Sequence, residues 1–133
     1  MDIWVLSLGI FVIVDLFMLT FIVVSKSRRG FNEAEKRKYV AIWAGIRKMD
    51  NRHAVMEADK LLYELLEKRG YKGSLGDKLK KAGPAFSNIN DVWRAHKLRN
   101  RLAHELGVEL REAEFAKALN DFKRAYRDLG LKL

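Results

Sequence analysis

A chain of 133 residues with 26 Lys and Arg against 17 Asp and Glu carries a formal charge of +9, and it has no cysteine, which excludes a disulfide framework, thiolate chemistry and thiolate metal sites. All 26 basic residues follow residue 24, whereas Asp2 and Asp15 precede it, so the later part carries 26 basic against 15 acidic side chains, or +11. That part has room for one domain with one core and too little for two, and its charge favours polyanionic partners, whether RNA, DNA or an acidic lipid surface.

Residues 3–24 read IWVLSLGIFVIVDLFMLTFIVV, and 16 of these 22 are Leu, Ile, Val or Phe. Together they favour membrane insertion by about −7 kcal/mol, against about +3 kcal/mol for one central carboxylate, so Asp15 does not prevent it. The length matches the ~20 residues that cross a hydrocarbon core. No basic residue precedes the run and no small-x-small site follows it, which argues against a cleaved signal peptide. Residues 1–25 are therefore expected to be a single transmembrane anchor. Lys26, Arg28 and Arg29 follow at once, and the positive-inside bias puts that end in the cytoplasm and the N-terminus outside, at the cell's inner (plasma) membrane. Asp15 reads equally as a helix–helix contact, for instance with a second copy, or as a tolerated polar group in lipid.

Residues 26–32 form a basic juxtamembrane linker containing Gly30, and 33–133 form the helical domain. Tyr39, Ile42, Trp43, Ile46 and Met49 recur at helical spacing and predict a helix over 33–49, whose basic start at Lys36, Arg37 and Lys38 suits contact with lipid headgroups. Asp50 or Asn51 can cap a second helix with a core stripe of Ala54, Ala58, Leu61, Leu62 and Leu65, ended by Gly70. Ser74 followed by Asp77 resembles a capping box for a short helix over 75–82, stopped by Gly83-Pro84. A third long helix is expected over 90–106, broken at Gly107. The last carries Phe115, Leu119, Phe122, Tyr126 and Leu129 and ends at Gly130. No sustained alternation marks a strand after residue 24. The fold class expected is all-α: the transmembrane helix followed by an antiparallel bundle of four to five helices.

The 90–106 segment, NDVWRAHKLRNRLAHEL, carries the chemistry. At 100° per residue, Val92, Ala95, Leu98, Leu102 and Leu106 share the core face. Trp93, His96, Asn100 and His104 share another, with the two imidazoles and the amide at i, i+4 and i+8. Arg99 projects near the edge of the apolar stripe, where an unpaired charge would be expensive, and Asp59 on the second helix is its best-placed partner, with Glu57 in reserve. Gly73-Ser74-Leu75-Gly76 reads as a turn. His96 and His104 lie two turns apart, too far to ligate one metal unaided, so no metal and no cofactor is expected.

Arg99-Asn100-Arg101-Leu102-Ala103-His104 resembles the Arg-x4–6-His signature of the HEPN superfamily, in which Asn directly after the Arg is common. The resemblance covers about 33–130, although only the six-residue motif is specific. It implies an all-helical domain that dimerises so that two motifs meet in one cleft, and in many members a metal-independent endoribonuclease. Carried over, His104 would deprotonate the RNA 2′-hydroxyl or protonate the leaving oxygen, Arg99 would stabilise charge developing on the phosphate, and Asn100 would orient the phosphate or the histidine. The products would be a 2′,3′-cyclic phosphate and a 5′-hydroxyl. Asp59, His96 and Trp93 are the supporting residues. Two functional classes are thus expected: a membrane-tethered RNA-binding or RNA-cleaving homodimer, or a non-catalytic interaction module that dimerises or docks a cytoplasmic protein at the inner membrane face.

Overall fold

The computed structural model describes residues 2–27 and 30–133, and within them the side chains of all but 23–27. The described residues are helical with no strand. Helix α1 spans Ile3–Ser27, and its stretch Ile3–Ile22 is long and apolar enough to cross a membrane, with no part of it buried against the rest of the chain. The two hydroxyls within that stretch are already satisfied. Ser7 Oγ donates to the Trp4 carbonyl at 2.9 Å and Thr20 Oγ1 to the Leu16 carbonyl at 2.7 Å, so neither polar group would face hydrocarbon unpaired. Asp15 is exposed on this helix.

The bundle is α2 (Glu33–Ile46), α3 (Asn51–Lys68), the short α4 (Leu75–Ala82), α5 (Ile89–His104) and α6 (Glu112–Asp128), with a 3-10 turn over Gly83–Ala85. The first three starts are chemically marked. Asn32 and Glu35 close a capping box on α2, Asp50 accepts from His53 N–H at α3, and Ser74 and Asp77 close the expected box on α4, each satisfying amides that have no partner within the helix. Gly70 (φ 96°) and Gly130 (φ 109°) end α3 and α6 in the left-handed region, as their position after the last apolar residue implied.

Long-range pairs fix the directions. Lys68 near the end of α3 meets Glu35 at the start of α2 at 3.2 Å, Arg52 at the start of α3 donates to the Leu102 carbonyl at the end of α5, and Arg124 late in α6 meets Asp91 early in α5 at 2.9 Å. Sequential long helices therefore run antiparallel, while α3 and α6 run the same way, tied by Asn51 to Glu112 at one end and Arg69 to the Leu129 carbonyl at the other. Helix α3 is the hub: α2, α4, α5 and α6 all pack on it. Val55, Leu62, Leu65, Leu66, Leu79 and Phe122 are fully buried, each contributing roughly 1.5–3 kcal/mol of transfer free energy.

Two expected boundaries move. Helix α2 stops at Ile46, not 49, because Arg47, Lys48 and Met49 tighten into a turn (Lys48 N–H to the Gly45 carbonyl, Met49 N–H to the Ile46 carbonyl) that delivers Asp50 to cap α3, and Met49 is exposed. Helix α5 starts at Ile89 behind an Asn88 cap and ends at His104, where Glu105 turns extended (φ −96°, ψ 133°). Leu106 is therefore not on the core face: it stands 102% exposed beside Gly107 at φ 69°.

Candidate functional site

Helix α5 is gripped along its length. Asn88 Oδ1 accepts from Asp91 N–H, Arg94 bonds Asp121 at 2.8 Å, and Arg52 caps the Leu102 carbonyl near the far end. Val92, Ala95 and Leu102 are buried and Leu98 partly so, which fixes the helix's rotation and hence the direction of its polar face.

Four side chains from that face and from α3 close a ring. Asp59, 5% exposed, accepts from His96 Nδ1 at 2.8 Å. The other edge of the same imidazole, Nε2, faces Asn100 Nδ2 at 3.4 Å. Asn100 Oδ1 accepts from Arg99 Nη1 at 3.1 Å, and Arg99 Nε returns to within 3.5 Å of Asp59 Oδ2. Arg99 Nε is buried and makes no hydrogen bond, so that last contact is an ion pair without hydrogen-bond geometry. A carboxylate only accepts, so the proton belongs on Nδ1 and the Nε2 lone pair receives the Asn100 amide. Asp59 was the expected partner of Arg99; its shorter bond is to His96.

The ring lines a groove of about 560 Å³ together with Lys60, Tyr63, Glu64, Ser74, Leu75 and Gly76. Trp93 meets His96 edge-on, with ring centroids 6.1 Å apart, and a Cβ on Gly76 would stand in ordinary contact with the indole at 3.6 Å. Glu57, the reserve partner, instead pairs with Lys60 at 2.7 Å. Beneath the ring, Tyr126 is fully buried and its hydroxyl donates to the Ala58 carbonyl at 2.5 Å. Burial pushes that phenol well above its ordinary range, and the Asp59 charge adds to the shift.

His104 lies apart from the ring. It is the last residue of α5, exposed, and does not line the groove. The structure thus brings Arg99, Asn100, His96, Trp93 and Asp59 together and leaves His104 facing solvent beside the exposed Leu106.

A second groove, about 960 Å³, opens between α5 and α6, with Trp93 and Leu98 in its wall and Arg94, Lys97, Arg101, Arg111 and Lys117 around it. Arg94 is held by Asp121 and Asp91, and its guanidinium is stabilised in the charged form chiefly by the Asp121 hydrogen bond.

The residues expected to touch lipid are spread over the start of α2. Lys36 pairs with Glu33 at 2.9 Å, Arg37 is exposed, and Lys38 lies 5.4 Å from the Tyr39 ring centroid. Arg28, Arg29 and the Lys26 side chain lie outside the described residues.

The sequence reading missed Lys78. It is fully buried, bonds Glu67 and sits 3.2 Å from the centroid of Tyr63, a groove residue. The signal was its position inside the Leu75, Leu79, Ala82 stripe of α4, where a surface lysine would not fall. No family model, curated protein or solved structure matches this chain.

Proposed function

We propose that this chain is a membrane-tethered, HEPN-like homodimer that binds RNA and cleaves it without a metal ion. The observation that carries the reading is the contrast along one helix: Arg99 and Asn100 are positioned by Asp59 and His96, while His104 at the helix end is exposed and unpaired among the described residues. A positioned guanidinium suits a phosphate that gains charge, and an accessible imidazole suits proton transfer near neutral pH. His104 takes the 2′-hydroxyl proton or supplies one to the 5′-oxygen, the 2′-oxygen attacks phosphorus and the bond to the 5′-oxygen breaks. Helix α1 anchors the domain in the bilayer with the N-terminus outside, and the basic segment around Lys26–Lys38 rests on anionic headgroups.

The test uses the full chain in nanodiscs with EDTA present and single-stranded RNA as substrate. Wild type yields 2′,3′-cyclic phosphate ends, and His104→Ala or Arg99→Ala lowers the rate by at least about 100-fold. Cleavage unchanged in both variants would remove these residues from the chemistry. The second reading, a non-catalytic interaction module, is favoured by one observation: Arg99 and Asn100 already have partners within the ring, as struts would. It predicts dimerisation and salt-sensitive binding to anionic liposomes with no RNA turnover.

A further inference from the structure

We infer that Asp59, His96, Asn100 and Arg99 form a proton-switched phosphate site, in which protonation of His96 opens the ring to a phosphodiester of single-stranded RNA. The inference takes its ligand from the RNA-binding reading above; the switch itself comes from the donor and acceptor roles around the ring.

In the closed ring each role is complementary for one state only. Asp59 takes the Nδ1 proton at 2.8 Å, leaving the His96 Nε2 lone pair for the Asn100 amide N–H at 3.4 Å, while Arg99 fixes the same amide by donating to its oxygen at 3.1 Å. A proton from solvent on Nε2 sets two donors against each other across that 3.4 Å gap. Turning the Asn100 amide over satisfies His96 but sets its NH2 against Arg99 Nη1 instead, so no orientation of Asn100 serves both neighbours. An oxyanion resolves the conflict. It accepts from His96 Nε2–H and from Arg99 together, and the Asn100 NH2 adds a third donor.

The surroundings agree. Arg99 Nε already lacks a hydrogen bond, so the guanidinium is not saturated by its present partners. Asp59 sits on the Nδ1 side, away from the Nε2 edge, and stabilises the imidazolium from behind. The other ionisable groups around the groove are Lys60, Tyr63 and Glu64 from α3; α4 lines it with Ser74, Leu75 and Gly76 and brings Asp77, bonded to Ser74, and Lys78, set against the Tyr63 ring, and α6 adds the buried Tyr126 beneath Asp59. Lys60 is drawn to Glu57 at 2.7 Å. His96 Nε2 is thus the ring nitrogen with a lone pair open to a proton from solvent. His96 acts here as a positioning and ligand-binding residue, separate from the proton transfer assigned to His104.

Phosphate binding coupled to uptake of one proton weakens as pH rises, by at most about tenfold per pH unit. The chain has three histidines, and His53 is an exposed residue bonded to Asp50 at the start of α3, so His104→Ala isolates His96 and also prevents turnover of the probe. The experiment measures binding of a fluorescein-labelled decaribonucleotide to full-length His104→Ala protein in phosphatidylcholine nanodiscs from pH 5.5 to 8.5, at constant salt. The expected result is an affinity that falls at least tenfold across the range, and a flat profile once His96→Gln is added. Asp59→Asn, which keeps the shape and removes the charge behind the imidazole, moves the midpoint to lower pH. Histidine ring nitrogen spectra of the same protein at pH 8 show the proton on Nδ1 of His96.

A pH dependence that survives His96→Gln overturns the switch, as does a proton on Nε2 at pH 8. RNA that binds with no pH dependence overturns it too while leaving the RNA-binding reading standing. If RNA does not bind, inorganic phosphate is the probe: phosphate-induced shifts of the His96 ring that fade above neutral pH keep the site and sink the RNA reading, and no shift sinks both.

Discussion

Replacing Asp59 by alanine tests the energetic centre of the ring. The carboxylate is 7% exposed as a side chain and carries two partners, the His96 Nδ1–H at 2.8 Å and the Arg99 guanidinium at 3.5 Å. The first is a hydrogen bond to a charged acceptor in a nearly dry site, worth about 1.5–3 kcal/mol with the cost of leaving the donor unsatisfied included. The second would cost about 3–5 kcal/mol if fully buried, but the Arg99 side chain is 24% exposed and its Nε makes no hydrogen bond, so about 1 kcal/mol is the reasonable share. The total is about 2.5–4 kcal/mol, which for a domain of this size lowers the melting temperature by roughly 10–30 °C. Circular dichroism of the full chain in detergent micelles reads it. Asp59→Asn, which keeps one acceptor for His96, costs less than half as much. Adding Arg99→Met to Asp59→Ala recovers part of the loss, because the stranded cation is removed. If the double variant melts no higher than Asp59→Ala alone, Arg99 is not held by Asp59 and the ring is not the structural unit described.

Other outcomes follow from single contacts. Ser74→Ala opens the α4 capping box and costs about 1 kcal/mol, measured by the same melts. Gly73→Ala costs more than that, because its φ is +99° and a Cβ would lie 2.8 Å from the Asp77 carboxylate oxygen that closes the box. Leu106→Glu leaves the melting temperature unchanged, since the side chain is fully exposed, yet converts a dimer to a monomer in sedimentation if this loop meets a second copy. Glu67 and Asp77 both have carboxyls held below their ordinary range, by the Lys78 and Ser74 hydrogen bonds respectively. Their stabilisation is complete above the unfolded values near 4.5 and 3.8 and fades as pH falls through the lower folded values. Thermal stability is therefore expected to drop below about pH 4, and less steeply in Glu67→Gln.

The local grammar of the chain was readable because it is local. The Ser74–Asp77 box, the α3 cap, where Asp50 is the one of the two candidates that serves, and the glycines after α3 and α6 each depend on a few neighbouring residues, and each stands where it was expected. The ends of α2 and α5 were not readable, because periodicity extends an apolar stripe past the point where the backbone stops. Met49 and Leu106 continue the spacing, but the chain has already turned to form a cap at Asp50 and an extended residue at Glu105. The Arg99–Asp59 pairing followed from the cost of a lone buried charge, a rule that crosses helices. The stronger His96–Asp59 bond did not, since a helical wheel puts His96 away from the core stripe and carries no knowledge of how α3 packs beside α5. Lys78 was hidden by its type: burial of an ammonium requires Glu67 and the Tyr63 face at once, and neither is a sequence neighbour.

Helix α3 carries Asp59 between Ala58 and Leu61, in the middle of the element on which every other bundle helix packs. Descendants of this chain therefore have little freedom to reshape the groove by drift. A substitution that shifts α3 to suit a new ligand also disturbs Leu62, Leu65 and the Tyr126 bond to Ala58. Change is less constrained at the two ends of α3, in the exposed loop around Leu106 near its start and at the exposed first residues of α2 near its end.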